Sequence, residues 1–287
     1  MGSLWNRKEE IQFFRETLSS YASVSQLFYR LEDGYYAYVP KDREKQGVTL
    51  QSRNSLIGHY TENWCRKLLD PIARKLGLYA VNSVVCDEIG LPAKSAADVA
   101  FCTTPASIQD PENIHLIFEV KMSVVSNYKY TEPDNIEYVS DYKHHRGNPS
   151  LLRSDSMLKA IGKSLSIRVS SDLASTIPII ILGNSPISSL YLDKSDHLVK
   201  SGALQGIWSL NPFPASGDFI VRSPDAGFRT IENPKELERL CSTLVQQDLH
   251  YFSSMMTKEE LGRIIRLSAN EGDEIGAAER FLKYIRE

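Results

Sequence analysis

An α/β fold, a central sheet flanked by helices, is what this 287-residue sequence predicts. Three observations carry it. Ile57, Tyr60, Trp64, Leu68, Ile72 and Leu76 recur at helical spacing. Three strand-like runs follow between residues 79 and 123. An amphipathic stretch at 154–172 then leads into a continuous apolar run at 176–184, suited to a strand buried on both faces. Helix, three strands, helix and strand in succession is the pattern of a layered α/β domain.

Taken in order, Ile11, Phe14, Leu18, Tyr21, Val24 and Phe28 predict a helix over 6–31, and the Lys-, Arg-, Gln- and Gly-rich stretch 33–54 predicts a loop. The next helix runs from Leu56 to Leu76, with Pro71 as a possible kink and Gly77 as its stop. Strands at 79–88, 96–104 and 113–123 are separated by turn-rich segments, and a polar, tyrosine-rich connection follows. In the helix at 154–172, Leu158, Ile161, Leu165 and Val169 are expected to face inward, with Ser154 or Asp155 as N-cap. The Pro- and Gly-rich segment 202–234 suggests short strands and loops, and helices are expected near 234–248, 257–268 and 274–286. The expected organisation is one compact domain with an N-terminal helical extension at 1–55, a core at 56–184, and C-terminal strands, loops and helices at 185–287 packed on that core.

Composition narrows the function classes. With 42% hydrophobic and 24% charged residues the chain reads as an ordinary globular protein, and a formal charge of −3 excludes a uniformly basic binder while leaving room for a local basic patch. Nowhere do 18 uncharged apolar residues run together, and the N-terminus turns charged at once, so a cytoplasmic protein without a membrane partner is expected. Cys65, Cys86, Cys102 and Cys241 show neither CxxC pairing nor a CxxH partner, which indicates neither a zinc site nor a disulfide framework.

One strand-like run breaks its own pattern. "NIHLIFEVKMSVV", Asn113 to Val125, carries Glu119 and Lys121 inside an apolar stretch. Strand side chains alternate faces, so these two charges point one way while Phe118, Val120 and Met122 point the other. Asp98 lies in the preceding strand, and an antiparallel hairpin would set it beside Glu119. Two carboxylates about 4 Å apart repel by about 4 kcal/mol at an effective dielectric near 20, so their pairing calls for a cation. Two strand carboxylates with the backbone carbonyl of Val120 suit Mg²⁺, which takes few protein ligands and leaves room for water and phosphate. The plain alternative is a structural ion pair.

"AAD" followed by "EVK", within a helix, three-strand, helix, strand order, resembles the PD-(D/E)XK nuclease superfamily, above all its type II restriction endonucleases. The resemblance covers about residues 56–184 and departs from the motif's name at Ala97, where proline is expected. It implies a restriction-endonuclease-like core with a mixed sheet, Mg²⁺ held by Asp98 and Glu119, and Lys121 assisting the attacking water. An additional acidic residue from the preceding helix is often present in this superfamily, and Glu62 is the candidate, although its place on the polar side of that helix also fits a solvated residue. The resemblance further implies a sequence-specific double-stranded DNA endonuclease acting as a homodimer, with a companion DNA methyltransferase for the same site. A structure-specific repair or recombination nuclease and a non-catalytic DNA-binding protein with the same fold are the alternatives.

Basic residues supply the candidate DNA contacts. Between Asp141 and Arg168 six Lys or Arg stand against two acids. Lys143, Arg146, Arg153, Lys159 and Lys163 come from this patch, and Ser156, Lys159 and Lys163 share a helix face suited to tracking phosphates. Arg222 and Arg229 are candidates for reading guanine edges. His144 and His145 read as loop residues without a third metal ligand.

Overall fold

The computed structural model describes residues 3–44, 50–131, 135–247, 249–251 and 257–286. Its elements are α1 (Arg7–Ser20), α2 (Val24–Leu27), β1 (Tyr29–Leu31), β2 (Gly34–Tyr36), α3 (Gln51–Lys75), β3 (Tyr79–Val84), β4 (Ala97–Cys102), β5 (Ile114–Lys121), β6 (Asn127–Thr131), β7 (Asn135–Ser140), α4 (Ser154–Ser170), β8 (Ile179–Gly183), α5 (Leu192–Lys200), β9 (Gly206–Ser209), β10 (Phe228–Thr230), α6 (Pro234–Gln246), α7 (Lys258–Ser268) and α8 (Glu274–Arg286). The chain forms two compact units, Met1–Asp248 and Leu249–Glu287, the second consisting of α7 and α8. Among the described residues no helix is long and apolar enough to cross a membrane.

The α/β reading holds. The first unit is built on a mixed six-stranded sheet in the order β10-β9-β8-β5-β4-β3. β3, β4 and β5 form an antiparallel meander, and β8 pairs parallel to β5 after the chain crosses over through α4. Helices cover both faces. On one face α3 and α6 bring Leu68, Leu69, Ile72, Leu237 and Cys241 against Val99, Phe101, Phe118 and Val120. On the other, Met157, Ala160 and Ile167 of α4 meet Ala100, Ile117, Ile179 and Ile181. β8 is buried along its whole length, as expected of an apolar parallel strand between two helical layers.

Three expectations change outside α4. The stretch expected as one helix over 6–31 breaks at Tyr21, because Ser23 and Gln26 form a capping box that starts α2 afresh. β1 and β2 then form a hairpin in the stretch expected to end a helix and begin a loop, turning through Glu32 and Asp33 with Gly34 at φ 141°. The tyrosine-rich connection forms the β6–β7 hairpin, and the four strands make a second antiparallel sheet, β1-β2-β6-β7. Its Tyr128, Tyr130 and Ile136 are buried in the same core as α1 and α3.

The correction at α4 matters most for the site. Leu158, Leu165 and Val169 are exposed, and the buried face carries Met157, Ala160, Ser164, Ile167 and Arg168. Small residues at 160 and 164 let the helix lie close to the sheet, which brings its lysine at 163 over the strands. The N-cap position is Arg153, one residue before the expected Ser154. By contrast α3 matches its stripe and ends in a left-handed Gly77 at φ 74°, whose conformation favours glycine.

Candidate active site

Strand parity settles where the charges point. Phe118, Val120 and Met122 enter the core on the α3 side, while Glu119 and Lys121 face α4. The β4–β5 register pairs Val99 with Phe118, so Asp98 is next in line with Glu119. Opposite Asp98 the neighbouring strand carries Ser83 at φ 51°, an interruption between the Asn82–Val99 and Val84–Ala97 pairs. Asp98 Oδ2 accepts the backbone N–H of Val120 at 2.7 Å, which anchors the carboxylate to the strand that bears its partner.

Two lysines bridge the two carboxylates. Lys121 Nζ lies 2.5 Å from Glu119 Oε1 and 3.6 Å from Asp98 Oδ2. Lys163 Nζ, from α4, lies 2.6 Å from Glu119 Oε2 and 3.3 Å from Asp98 Oδ1, and donates to the carbonyl of Ala96 at 2.8 Å. Lys163 therefore sits inside the carboxylate cluster, a different place from the phosphate-tracking face expected for it. Glu119 is buried at 5% exposure, and its Oε2, although in ion-pair contact with Lys163, has no well-directed hydrogen bond. The carbonyl of Val120 accepts from Lys121 Nζ at 3.1 Å.

The electrostatics follow from crowding. Burial raises the pKa of Glu119, the neighbouring Asp98 carboxylate raises it further, and the two lysines offset part of this. Burial alone would lower Lys163, yet Glu119 and Asp98 outweigh it and leave the ammonium favoured. Glu62, half-buried on α3, is pushed up to about 7 by burial and by Asp98, with Lys121 and Lys163 opposing. It is thus within electrostatic reach of the whole cluster, beyond what its place on a polar helix face conveyed.

Among the described residues no group of three or more His, Cys, Asp and Glu is arranged around a single metal position. The donor set still suits Mg²⁺, for which one or two carboxylates with water and substrate oxygens suffice. The buried Glu119 Oε2 without a directed donor is the atom that such an ion would complete.

The remaining candidates are dispersed. Lys143 donates to the carbonyls of Ser216 and Asp218. Arg146 donates to those of Lys41 and Arg43, and Arg153 pairs with Asp155 at 2.8 Å. Lys159 is exposed on α4, with Ser156 half-buried nearby. Arg222 and Arg229 form an isolated bridge at β10, three strands or about 14 Å across the sheet from β5. His145 is a corrected case: it is 1% exposed, stacked on Tyr38 at 3.9 Å, and bonded through Nε2 to the carbonyl of Val125 at 2.9 Å.

Sequence reasoning missed a polar network at the carboxyl ends of β5 and β8. Asn184 accepts from the Ser123 N–H at 3.1 Å and donates to its carbonyl at 2.7 Å, while the Ser150 hydroxyl donates to the carbonyl of Lys121. Ser123, Ser150 and Asn184 are distant in sequence, and only the parallel pairing of β5 with β8 brings them together. Comparison with family models, with curated proteins and with solved structures finds no match for this chain.

Proposed function

We propose that this chain is a Mg²⁺-dependent double-stranded DNA endonuclease with a restriction-endonuclease-like core, cutting a specific site as a cytoplasmic homodimer beside a companion methyltransferase. The observation that carries the reading is the meeting of Asp98, Glu119 and Lys121 on adjacent strands, at the distances given above, with an acidic Glu62 close by. The order α3, β3, β4, β5, α4, β8, an antiparallel meander followed by a strand parallel to its last member, supports the core assignment.

Asp98 and Glu119 would hold the ion. When bound, Mg²⁺ supplies Lewis-acid polarisation of the scissile phosphate. Lys121 presents its ammonium at the same edge and stabilises negative charge developing on the phosphoryl oxygens. Glu62, titrating near neutrality, takes the proton of the attacking water. The water oxygen bonds to phosphorus as one backbone P–O bond breaks, and the departing oxygen takes a proton from solvent. Lys163 keeps the two carboxylates together from the α4 side and offsets their repulsion.

The test is incubation of purified protein with unmethylated viral DNA, with and without Mg²⁺, read on a gel. Discrete Mg²⁺-dependent fragments are the expected result. A smear would remove the sequence specificity, and intact DNA would remove the nuclease reading for such substrates.

A further inference from the structure

A cavity of about 540 Å³ opens in the first unit. Its wall includes Ser123, two residues beyond Lys121 on the same chain segment, so it lies at the carboxyl end of β5, where open α/β sheets commonly take ligands. The volume is in the range of small-molecule sites.

Its most telling residue is Arg53. This side chain is 3% exposed, and one end of its guanidinium donates to the carbonyls of Leu27 and Ala37. The guanidinium carbon lies 4.5 Å from the ring centre of Tyr38, whose ring is also stacked on His145. Among the described residues neither a carboxylate partner for Arg53 nor an acceptor for its remaining N–H donors is present, and the residue lines the cavity. A buried cation is costly without a counter-charge, so this one is set to receive an anion. The fork geometry of guanidinium suits a phosphate bidentately.

The rest of the wall adds to that. Arg146 and Arg153 bring further positive charge, and Asp155 is the acidic residue that lines the cavity, already paired with Arg153. Asn54 and Asn148 also line it, offering amide groups that both donate and accept, as the edge of a nucleobase requires. A cation for phosphate, amides for a ring edge and space for one unit together describe a nucleotide.

We propose that this cavity binds a single nucleotide, its phosphate on Arg53 and its base edge on Asn54 and Asn148. The nucleotide comes either free from solution or from a DNA strand, swung out of the stack beside the cutting site. The second source rests on the nuclease reading above; the first does not.

The experiment has two arms, both run without Mg²⁺ on the full chain. In the first, isothermal titration with the four deoxynucleoside monophosphates, the matching nucleosides and inorganic phosphate is expected to show a nucleotide binding at least about tenfold tighter than its nucleoside or phosphate. Arg53→Met is expected to lose that advantage, and Asn54→Ala serves if Arg53→Met does not fold. In the second arm, short duplexes carrying 2-aminopurine are mixed with the protein in Ca²⁺, and a fluorescence rise that Asn54→Ala abolishes marks a nucleotide leaving the stack. Nucleotide binding in either arm supports the proposal and identifies the source. No nucleotide preference together with no fluorescence rise overturns it. Cleavage is scored separately: a protein that binds nucleotides and cuts no DNA refutes the nuclease reading alone, and one that cuts DNA and fails both arms refutes this pocket alone.

Discussion

Two buried carboxylates in this protein, Glu10 and Glu119, are treated in opposite ways. Glu10, on α1, is 1% exposed and accepts from the N–H groups of Val125 and Ser126 at 2.6 and 3.1 Å, from Tyr128 Oη at 2.7 Å and from Trp5 Nε1 at 3.2 Å. Glu119 is 5% exposed and has two lysine ammoniums and an oxygen without a directed donor. Burial raises the pKa of both. The difference is in the partners. Glu10 is met by neutral donors of the segment it braces, the one that follows β5, and nothing else can use its oxygens. Glu119 is met by side-chain cations, whose place another cation can take. Both oxygens of Glu10 have directed donors, whereas one oxygen of Glu119 has none.

The sharpest break of this comparison is in activity against stability. On the proposed function, Glu119→Gln is expected to lower DNA cleavage on the order of 10³-fold or more, since it would remove a ligand of the proposed Mg²⁺. Gln also leaves Lys121 and Lys163 with Asp98 as their carboxylate partner, so unfolding in urea should show a loss of about 1–3 kcal/mol, well short of the loss in activity. Cleavage at the wild-type rate would return the cluster to a structural ion pair. Glu10→Ala is expected to weigh on stability instead, costing about 3–5 kcal/mol by stranding several donors at once. A urea midpoint close to wild type would show that Glu10 is dispensable to the brace.

Lys163 gives the next largest effect. Lys163→Met leaves two close carboxylates with one ammonium, so a loss of about 1–3 kcal/mol is expected in EDTA. Mg²⁺ should then recover most of it, and should stabilise the variant more than it stabilises wild type. Thermal melts with EDTA and with Mg²⁺ read this directly. Equal Mg²⁺ effects on both proteins would mean that no cation site lies between the carboxylates.

How much of this was open to reading from the chain itself depends on the kind of signal. Asp98, Glu119 and Lys121 could be brought together from strand parity and a hairpin, both local rules. The α3 stripe and β8 were equally plain, being long and strongly patterned. The packed face of α4 was not, because Leu158, Leu165 and Val169 offer a larger apolar stripe than Met157, Ala160 and Ser164, and closeness to the sheet rewards the smaller residues. With that rotation the role of Lys163 was also hidden. The β1–β2 hairpin had a signal in Asp33–Gly34, overridden by the helical spacing upstream. Glu10 and Arg53 carried no local signal at all, since each is defined by partners far along the chain, Val125 for one and Ala37 for the other.

Acidity offers a subtler probe of the working side. Glu62 rises from its ordinary 4.5 to about 7 in the folded protein. Between those values the folded chain keeps a proton that the unfolded chain releases. Its contribution to stability therefore falls as pH rises from about 4.5 to about 7 and is level beyond. Cleavage should move the other way, climbing through pH 7 as the carboxylate forms. Glu62→Gln is expected to flatten the stability slope and remove the climb in rate. A rate profile unchanged by that substitution would take Glu62 out of the chemistry.

The smallest effect tests the satisfied side. Tyr128→Phe removes one of the donors to Glu10 and keeps the ring, which is fully buried against Phe14. The backbone N–H groups of Val125 and Ser126 and the Trp5 indole still hold the carboxylate, so the cost should be about 1 kcal/mol, the net worth of one hydrogen bond. Cleavage and its Mg²⁺ dependence should be unchanged, because the brace positions a backbone segment that three donors still fix. A loss of several kcal/mol would mean that Glu10 depends on the phenol to hold its place in the brace. In that case the two buried carboxylates would differ less than their partners imply, each resting on a single decisive contact.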